Sequence, residues 1–504
     1  MLTGSSHVCS PPNVPETVDA LVARGHNCCR NGRFDEAREV LQRAVAHDPG
    51  HPMALNNLGW AWQMLGRPDE ALTCYRRALV LDGRLRIARR NAIALLLALG
   101  RRDECFTLWH AEYWCDADGL EWIRRLVSDA LDGGRLPQAG EFAAMVAQVR
   151  WGRGAALGSA PFVDTVEPEP IHPPSGRLSV PRLLHDIAQF EYLKDSGIFD
   201  ARINAAIATY RIVADDLERR EGPDGRCLID DHLYEQIGST YDRLLHVRTT
   251  PRVPLALSPQ WDRVQVQSDY LDRPPGLVVI DNFLTADALA QLRRFCLEST
   301  VWFANRYAHG RLGAFFQDGF NCPLLLQIAE EIRDALPRVI GNRYPLRQIW
   351  GFKNAGDLPA DATTHADFAA VNVNFWITPN EANLDPDSGG LIVYDVDAPQ
   401  RWDFDTYNGR LDVIRPFLDR QKARAVRIPY RQNRAIIFNS DLFHGTDAVR
   451  FRPEYPHRRI NVTMLYGDRE RETDHRDLAR PEPMAETSTV FQGWRSPVFT
   501  RLRR

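Results

Sequence analysis

Apolar positions recur at helical spacing through the first 150 residues and again, after a break, between about 183 and 245. Beyond 275 they fall into short runs separated by turn residues. The first stretch is punctuated at a fixed interval. Gly32-Arg33-Phe34-Asp35-Glu36-Ala37 returns as Gly66-Arg67-Pro68-Asp69-Glu70-Ala71 and as Gly100-Arg101-Arg102-Asp103-Glu104-Cys105, 34 residues apart each time. A weaker copy, Gly134-Arg135-Leu136-Pro137-Gln138-Ala139, follows at the same spacing. A constant period marks a stack of like supersecondary units. Apolar helical patterns on both sides of each glycine make the unit helix, tight turn, helix. The glycine stands where the first helix must stop, because it enters the left-handed region without a Cβ clash.

From 151 to about 177 the composition shifts to Gly, Pro, Ser and Ala, including Glu167-Pro168-Glu169-Pro170, and reads as a linker. Leu183, Leu184, Ile187, Phe190 and Leu193 then form one helical stripe, with further helices expected over 201–219 and 233–245. His185, His232 and His246 have no partners at ligand spacing and read as surface or hydrogen-bonded core histidines. After Pro274-Pro275, strands are expected over 277–280, 348–352, 371–377, 390–394, 425–428, 435–438 and 460–466, with helices over 285–298 and before Pro337. Short strands of this kind suggest a β-sandwich or jelly-roll.

Composition changes this picture little. The 504 residues suffice for two or three domains, and 44% hydrophobic with 25% charged residues is ordinary for a globular protein. A net charge of −4 gives no reason to expect nucleic acid as partner. Nine cysteines, an odd number without a CxxC pair, read as buried reduced thiols rather than a disulfide framework or zinc site. Met1 to Pro12 lack the basic start and apolar core of a signal peptide, and no apolar run approaches the ~18–20 residues that span a bilayer. A reducing cytoplasm, with no membrane partner, is the expectation. The sequence shows no GxSxG, no P-loop and no GxGxxG before a helix.

The residues that point to chemistry are Thr364-His365-Ala366-Asp367. On an extended chain, residues two apart share a face, so His365 and Asp367 can grip one metal. With a second histidine they would leave open positions on an Fe(II) ion. The bare His-x-acid pattern also occurs at His110-Ala111-Glu112 and His475-Arg476-Asp477. Only His365 is followed by a strand, then Gly389-Gly390-Leu391-Ile392-Val393-Tyr394, then Ala435-Ile436-Ile437-Phe438 and His444-Gly445.

Two resemblances follow from these residues. The repeats resemble the tetratricopeptide repeat: Leu58-Gly59, Trp62, Ala71, Tyr75 and Ala78 fall at its small and aromatic positions, as do Gly25, Ala37, Leu41, Ala44 and Pro49 in the first unit. That likeness implies a helical array over 16–150 that binds a protein, a peptide or a carrier-bound substrate. Residues 275–470 resemble the Fe(II)/2-oxoglutarate-dependent oxygenases, most of all the prolyl 4-hydroxylase-like branch. The resemblance implies a double-stranded β-helix with flanking helices, and Fe(II), 2-oxoglutarate and O2 as cofactor and co-substrates. It makes His365, Asp367 and His444 the catalytic metal ligands, and Arg459 the residue that holds the far carboxylate of 2-oxoglutarate. Arg458, its neighbour, would point to the opposite face. Lys353 stands near the place where that branch often carries a tyrosine touching the co-substrate; a carboxylate contact and a surface lysine both stay open for it. Asn372 and Asn374 share a strand face, and 2-oxoglutarate contacts and solvent or turn roles both stay open for them.

The implied organisation is multidomain, α plus β: repeat array 16–150, linker 151–177, helical connector 178–270, oxygenase domain 271–470 and tail 471–504. An inserted segment around 401–424 is expected over the site. Three functions follow: hydroxylation of an amino-acid side chain of a protein or peptide recruited by the repeats, tailoring of a small or carrier-bound natural product, or a non-catalytic repeat adaptor.

Overall fold

The computed structural model describes residues 16–99, 101, 104, 108, 117–152, 176–354, 356–360 and 362–469. The triplets at His110 and His475, most of the linker and the tail 471–504 lie outside them. By contacts the chain divides into one unit within the first 114 residues and a second over 115–474.

The first unit is made of helices Val18–Arg30, Phe34–His47, Pro52–Met64, Pro68–Leu81 and Arg86–Ala98. The repeat glycines stop their helices as expected: Gly32 and Gly66 have φ of 72° and 75°. The next amide, of Arg33 or Arg67, closes back on the carbonyl of Cys28 or Trp62. Close helix approach needs the small residue at Gly59, where a Cβ would come within 2.7 Å of the Tyr75 ring. All six described cysteines are free. Burial pushes the Cys29 thiol up to about 12, which keeps it inert.

The second unit opens with helices Ala117–Asp132 and Leu136–Trp151, joined at Gly134 with φ 65°. This helix pair, expected as the last repeat of the array, groups by contacts with the second unit. The Trp151 ring stacks on Phe303 at 4.1 Å, and its indole N–H and the Arg150 guanidinium both donate to Asp318. Strand β1 (Arg177–Ser179) pairs with β2 (Arg226–Leu228), and helices Val180–Asp195, Ile203–Glu221 and Asp231–Ile237 enclose Leu183, Phe190, Tyr210 and Leu217. The helix expected over 233–245 ends at Ile237, and the chain turns through Asp242 at φ 56°. That turn brings the Asp242 carboxylate to Arg182, which also holds Asp186 at 2.8 Å, all three buried. Gln189 donates to the carbonyls of Leu297 and Ser299, so this connector braces the β-rich part. His185 is buried with Nδ1 on Asp186, and exposed His232 meets Gln236.

Beyond the connector come β3 (Leu277–Ile280), β4 (Arg311–Phe315), β5 (Leu346–Asn354), β6 (Val371–Trp376), β7 (Leu391–Asp397), β8 (Ala425–Ile428), β9 (Ala435–Asn439), β10 (Leu442–Thr446) and β11 (Ile460–Tyr466). They form two antiparallel sheets, β3-β9-β6-β11-β5-β4 and β10-β7-β8. Trp376, Ile436 and Phe438 of the first pack with Leu391, Val393 and Leu442 of the second. Helix Ala286–Glu298, capped by Thr285 Oγ1, and helix Pro323–Ala335 supply carbonyls to Lys353 and Tyr466 of the large sheet. Among the described residues no helix is long and apolar enough to cross a membrane.

Candidate metal centre

His365, Ala366 and Asp367 form an extended segment whose first residue bridges β10: the amide of His365 donates to the His444 carbonyl at 2.9 Å, and the reverse bond is 2.8 Å. Alternation does the rest. Ala366 turns into an apolar cluster with Ala398, Tyr407, Ile414, Leu418 and Phe443, while its neighbours turn the other way. One ligand atom each of His365, Asp367 and His444 lies within 4.8 Å of the others. The His365 and His444 Nε2 atoms are 3.5 and 3.4 Å from the two oxygens of Asp367.

The supporting bonds set the chemistry of these donors. Nδ1 of His365 faces the Thr363 carbonyl, and Nδ1 of His444 faces the Leu442 carbonyl at 3.0 Å. A carbonyl can only accept, so each Nδ1 carries the proton and each Nε2 presents its lone pair to the centre. Asn372 Nδ2 donates to Asp367 Oδ2 at 2.7 Å. Burial alone would raise the Asp367 carboxyl, but where the two imidazoles are protonated their N–H groups and positive charge hold it well below the usual carboxylate range. Two neutral imidazoles and one carboxylate this close together fit a divalent first-row metal such as Fe(II).

The triad opens into a cavity lined by Trp350 and Phe352 of β5, Asn374 of β6, Asn461 and Thr463 of β11, Leu391 of β7, Thr446 of β10, and Arg311 and Arg459. Arg459, 2% exposed, donates Nε to the Gly389 carbonyl at 2.6 Å, Nη2 to Gly390 at 3.3 Å and Nη1 to Asn461 Oδ1 at 3.1 Å. No carboxylate among the described residues forms an ion pair with it, and burial lowers the guanidinium to about 9. A buried cation held by neutral acceptors alone is incompletely compensated. Two of its five N–H groups stay available for an anion.

The approach of Gly390 to the neighbouring strand is part of this clamp. A Cβ there would lie 1.8 Å from the Ile428 carbonyl oxygen. Gly390→Ala is therefore expected to push β7 and β8 apart and destabilise the protein by about 1–3 kcal/mol, read as a lower urea midpoint. An unchanged midpoint would show that the strands give way freely.

The structure brings together His365, Asp367, His444, Arg459 and Asn374, and places Asn372 behind the Asp367 carboxylate, to which it donates. Arg458 turns out of the cavity, over the Tyr455 ring. Two expectations are corrected. Lys353 is neither a co-substrate contact nor a surface lysine. It alternates with cavity-lining Phe352, so it emerges on the other face of β5 and is fully buried. There its amine donates to the Cys296 carbonyl and the Tyr455 hydroxyl and sits 4.4 Å from the Trp302 ring. Nor does the inserted segment cover the site. Its helices, Phe404–Gly409 and Leu411–Gln421, contribute nothing to the cavity lining. They pack behind the ligands, where the Tyr407 carbonyl accepts from the Ala366 amide at 3.0 Å and Asn408 Nδ2 donates to the Ala366 carbonyl at 2.9 Å.

Sequence reasoning missed Asn461 and Thr463, although both follow from Arg459 by the period of two. It missed Arg311 because β4, Arg-Leu-Gly-Ala-Phe, has too few β-formers to register as a strand.

The family model of the tetratricopeptide repeat matches residues 23–85. No curated protein matches the chain in sequence. Among solved structures, the second tetratricopeptide-repeat domain of Spaghetti, bound to an HSP90 peptide, is 21% identical with a TM-score of 0.18, covering 19% of this chain and 87% of that one. The non-haem α-ketoglutarate-dependent carbocyclase SnoK of nogalamycin biosynthesis is 11% identical with a TM-score of 0.28, covering 43% and 87%. The corresponding epimerase SnoN is 12% identical with a TM-score of 0.29, covering 41% and 80%. The chain thus carries tetratricopeptide repeats near its N-terminus, followed by a β-rich part of antiparallel sheets.

Proposed function

We propose that the β-rich part is an Fe(II)- and 2-oxoglutarate-dependent dioxygenase on a double-stranded β-helix, hydroxylating an amino-acid side chain of a protein or peptide that the repeats recruit. One observation carries the reading: three metal-ligating side chains converge in the same cavity as a buried arginine that has no carboxylate partner. His365, Asp367 and His444 would hold the metal, and the two remaining N–H groups of Arg459 would take the far carboxylate of 2-oxoglutarate. When bound, Fe(II) with 2-oxoglutarate and O2 supplies oxidation of a substrate C–H to C–OH, with succinate and carbon dioxide as the other products.

The protein's own contribution is positional. The Thr363 and Leu442 carbonyls keep both Nε2 lone pairs aimed at the metal position, and Asn372 and the Tyr407–Asn408 clamp on Ala366 keep Asp367 in register with them. Trp350, Phe352 and Leu391 keep the cavity walls apolar beside the polar row Arg459, Asn461 and Thr463.

The first test is a visible spectrum of the full chain purified without oxygen and supplied with Fe(II) and 2-oxoglutarate. A weak charge-transfer band, absent from His365→Ala, supports the reading; folded protein that binds no iron sinks it. Arg459→Gln is expected to weaken 2-oxoglutarate about 10- to 100-fold, the cost of losing charge-assisted hydrogen bonds, in a titration of that band. Unchanged affinity would remove Arg459 from the role. For the substrate class, peptide-stimulated succinate release is the expected result, and turnover of free small molecules alone would refute recruitment by the repeats.

A further inference from the structure

The cavity holds a second guanidinium that the proposed reaction does not use. Arg311 opens β4, the edge strand of the large sheet, and lines the same cavity as the triad and Arg459. Its surroundings differ from those of Arg459. Where Arg459 is tied down by two carbonyls and Asn461, the Arg311 guanidinium makes no hydrogen bond or ion pair with any described residue. It lies over the Phe352 ring at 3.7 Å and near the Tyr307 ring at 5.7 Å. These aromatic faces fix the plane of the group while leaving its N–H edge uncommitted. Arg311 keeps some exposure to solvent, whereas Arg459 is enclosed.

A second orphan lies beside it. Asn354 is the direct cross-strand partner of Arg311 and stands on the strand face that carries Trp350 and Phe352. Both polar atoms of its side chain are buried without a hydrogen-bond partner. Buried amides are almost always satisfied in a complete structure; Asn354 does not itself line the cavity, so the place for a polar ligand is marked by the uncommitted Arg311 guanidinium, with the unsatisfied amide on the adjacent strand.

Charge decides what kind. Among the described residues, Asp367 is the single carboxylate lining the cavity, set against two arginines. On the reading proposed above, a divalent ion adds two positive charges, and 2-oxoglutarate, a dianion, removes two. One positive charge is left over, at the more open end. From this we infer that the primary substrate carries a carboxylate, which Arg311 receives as a monoanion while Arg459 holds the co-substrate. Arg311 is thus a specificity residue, selecting an acidic side chain on or next to the residue that is modified. This inference rests on the dioxygenase reading.

The test uses the full chain, anaerobic, with Fe(II) and saturating 2-oxoglutarate. N-acetyl-aspartate N-methylamide, N-acetyl-glutamate N-methylamide and inorganic phosphate are titrated in separately by calorimetry. One of the capped acids is expected to bind the wild type, about tenfold or more weaker to Arg311→Gln. Arg311→Lys, which keeps the charge without the fork, should recover part of that loss. Each variant is also titrated with 2-oxoglutarate, which reports whether the centre has folded. The inference is overturned if neither capped acid binds the wild type, if phosphate binds in their place, or if Arg311→Gln binds the capped acid as well as the wild type does. It is also overturned if Arg311→Gln loses 2-oxoglutarate instead, since Arg311 would then be the co-substrate clamp. Failure of the wild type to bind 2-oxoglutarate at all is a separate result, and sinks the dioxygenase reading with it.

Discussion

Asp367→Ala is expected to abolish Fe(II)-dependent succinate formation and the anaerobic charge-transfer band, while leaving the protein folded. Asp367 is the one anionic donor of the triad, and both imidazoles face it, at 3.5 and 3.4 Å. Without it, two neutral nitrogens remain, and the site loses both a ligand and the charge that offsets the metal's. The fold has little reason to collapse. Removing a buried carboxylate takes away a desolvation cost but leaves Asn372 Nδ2 without its acceptor, a loss of about 1–3 kcal/mol. Far-ultraviolet circular dichroism and bound-iron analysis on the same preparation separate the two effects. Retained iron and retained turnover would mean that the centre lies elsewhere.

The largest expected effect on stability comes from residues that do not line the cavity. Arg182→Met should destabilise the second unit by about 3–5 kcal/mol, the usual result of removing one partner from a buried charge cluster. The guanidinium lies 2.8 Å from Asp186 and 3.5 Å from Asp242, and all three side chains are almost wholly buried. Methionine fills the volume but removes the guanidinium that the two buried carboxylates share. Burial already raises the Asp186 carboxyl above the usual range, despite Arg182. Urea unfolding followed by tryptophan fluorescence reads the change, and adding Asp186→Leu should return part of the loss. A decrease below about 1 kcal/mol would show that water reaches the cluster.

Much of the architecture is legible in the sequence because it rests on local rules. The repeat period placed Gly32, Gly66 and Gly134 where the backbone is left-handed. Alternation placed 425–428 and 460–466 as strands to the residue, and put Arg459 and Arg458 on opposite sides. The helix expected over 233–245 ends at Ile237 with Gly238 as its cap, and beyond it Asp242, in a left-handed conformation, meets Arg182, 60 residues away. Lys353 shows the limit of reasoning by position. Its place in β5 was near the site, but only the sheet decides which face looks inward, and Phe352 takes that face.

By itself, then, the sequence determined the repeats, most strands and the His365–Asp367 pair, because spacing of two, of helical turns or of 34 residues is carried by neighbouring positions along one chain. The family resemblance named His444 and Arg459, but their meeting with that pair, the place of the inserted helices behind the triad and the entry of Arg311 from an edge strand are set by the tertiary structure. Those outcomes depend on which sheet faces pack together and which buried charges find partners. Both are balances of burial and desolvation between segments remote in sequence, and no local pattern encodes them.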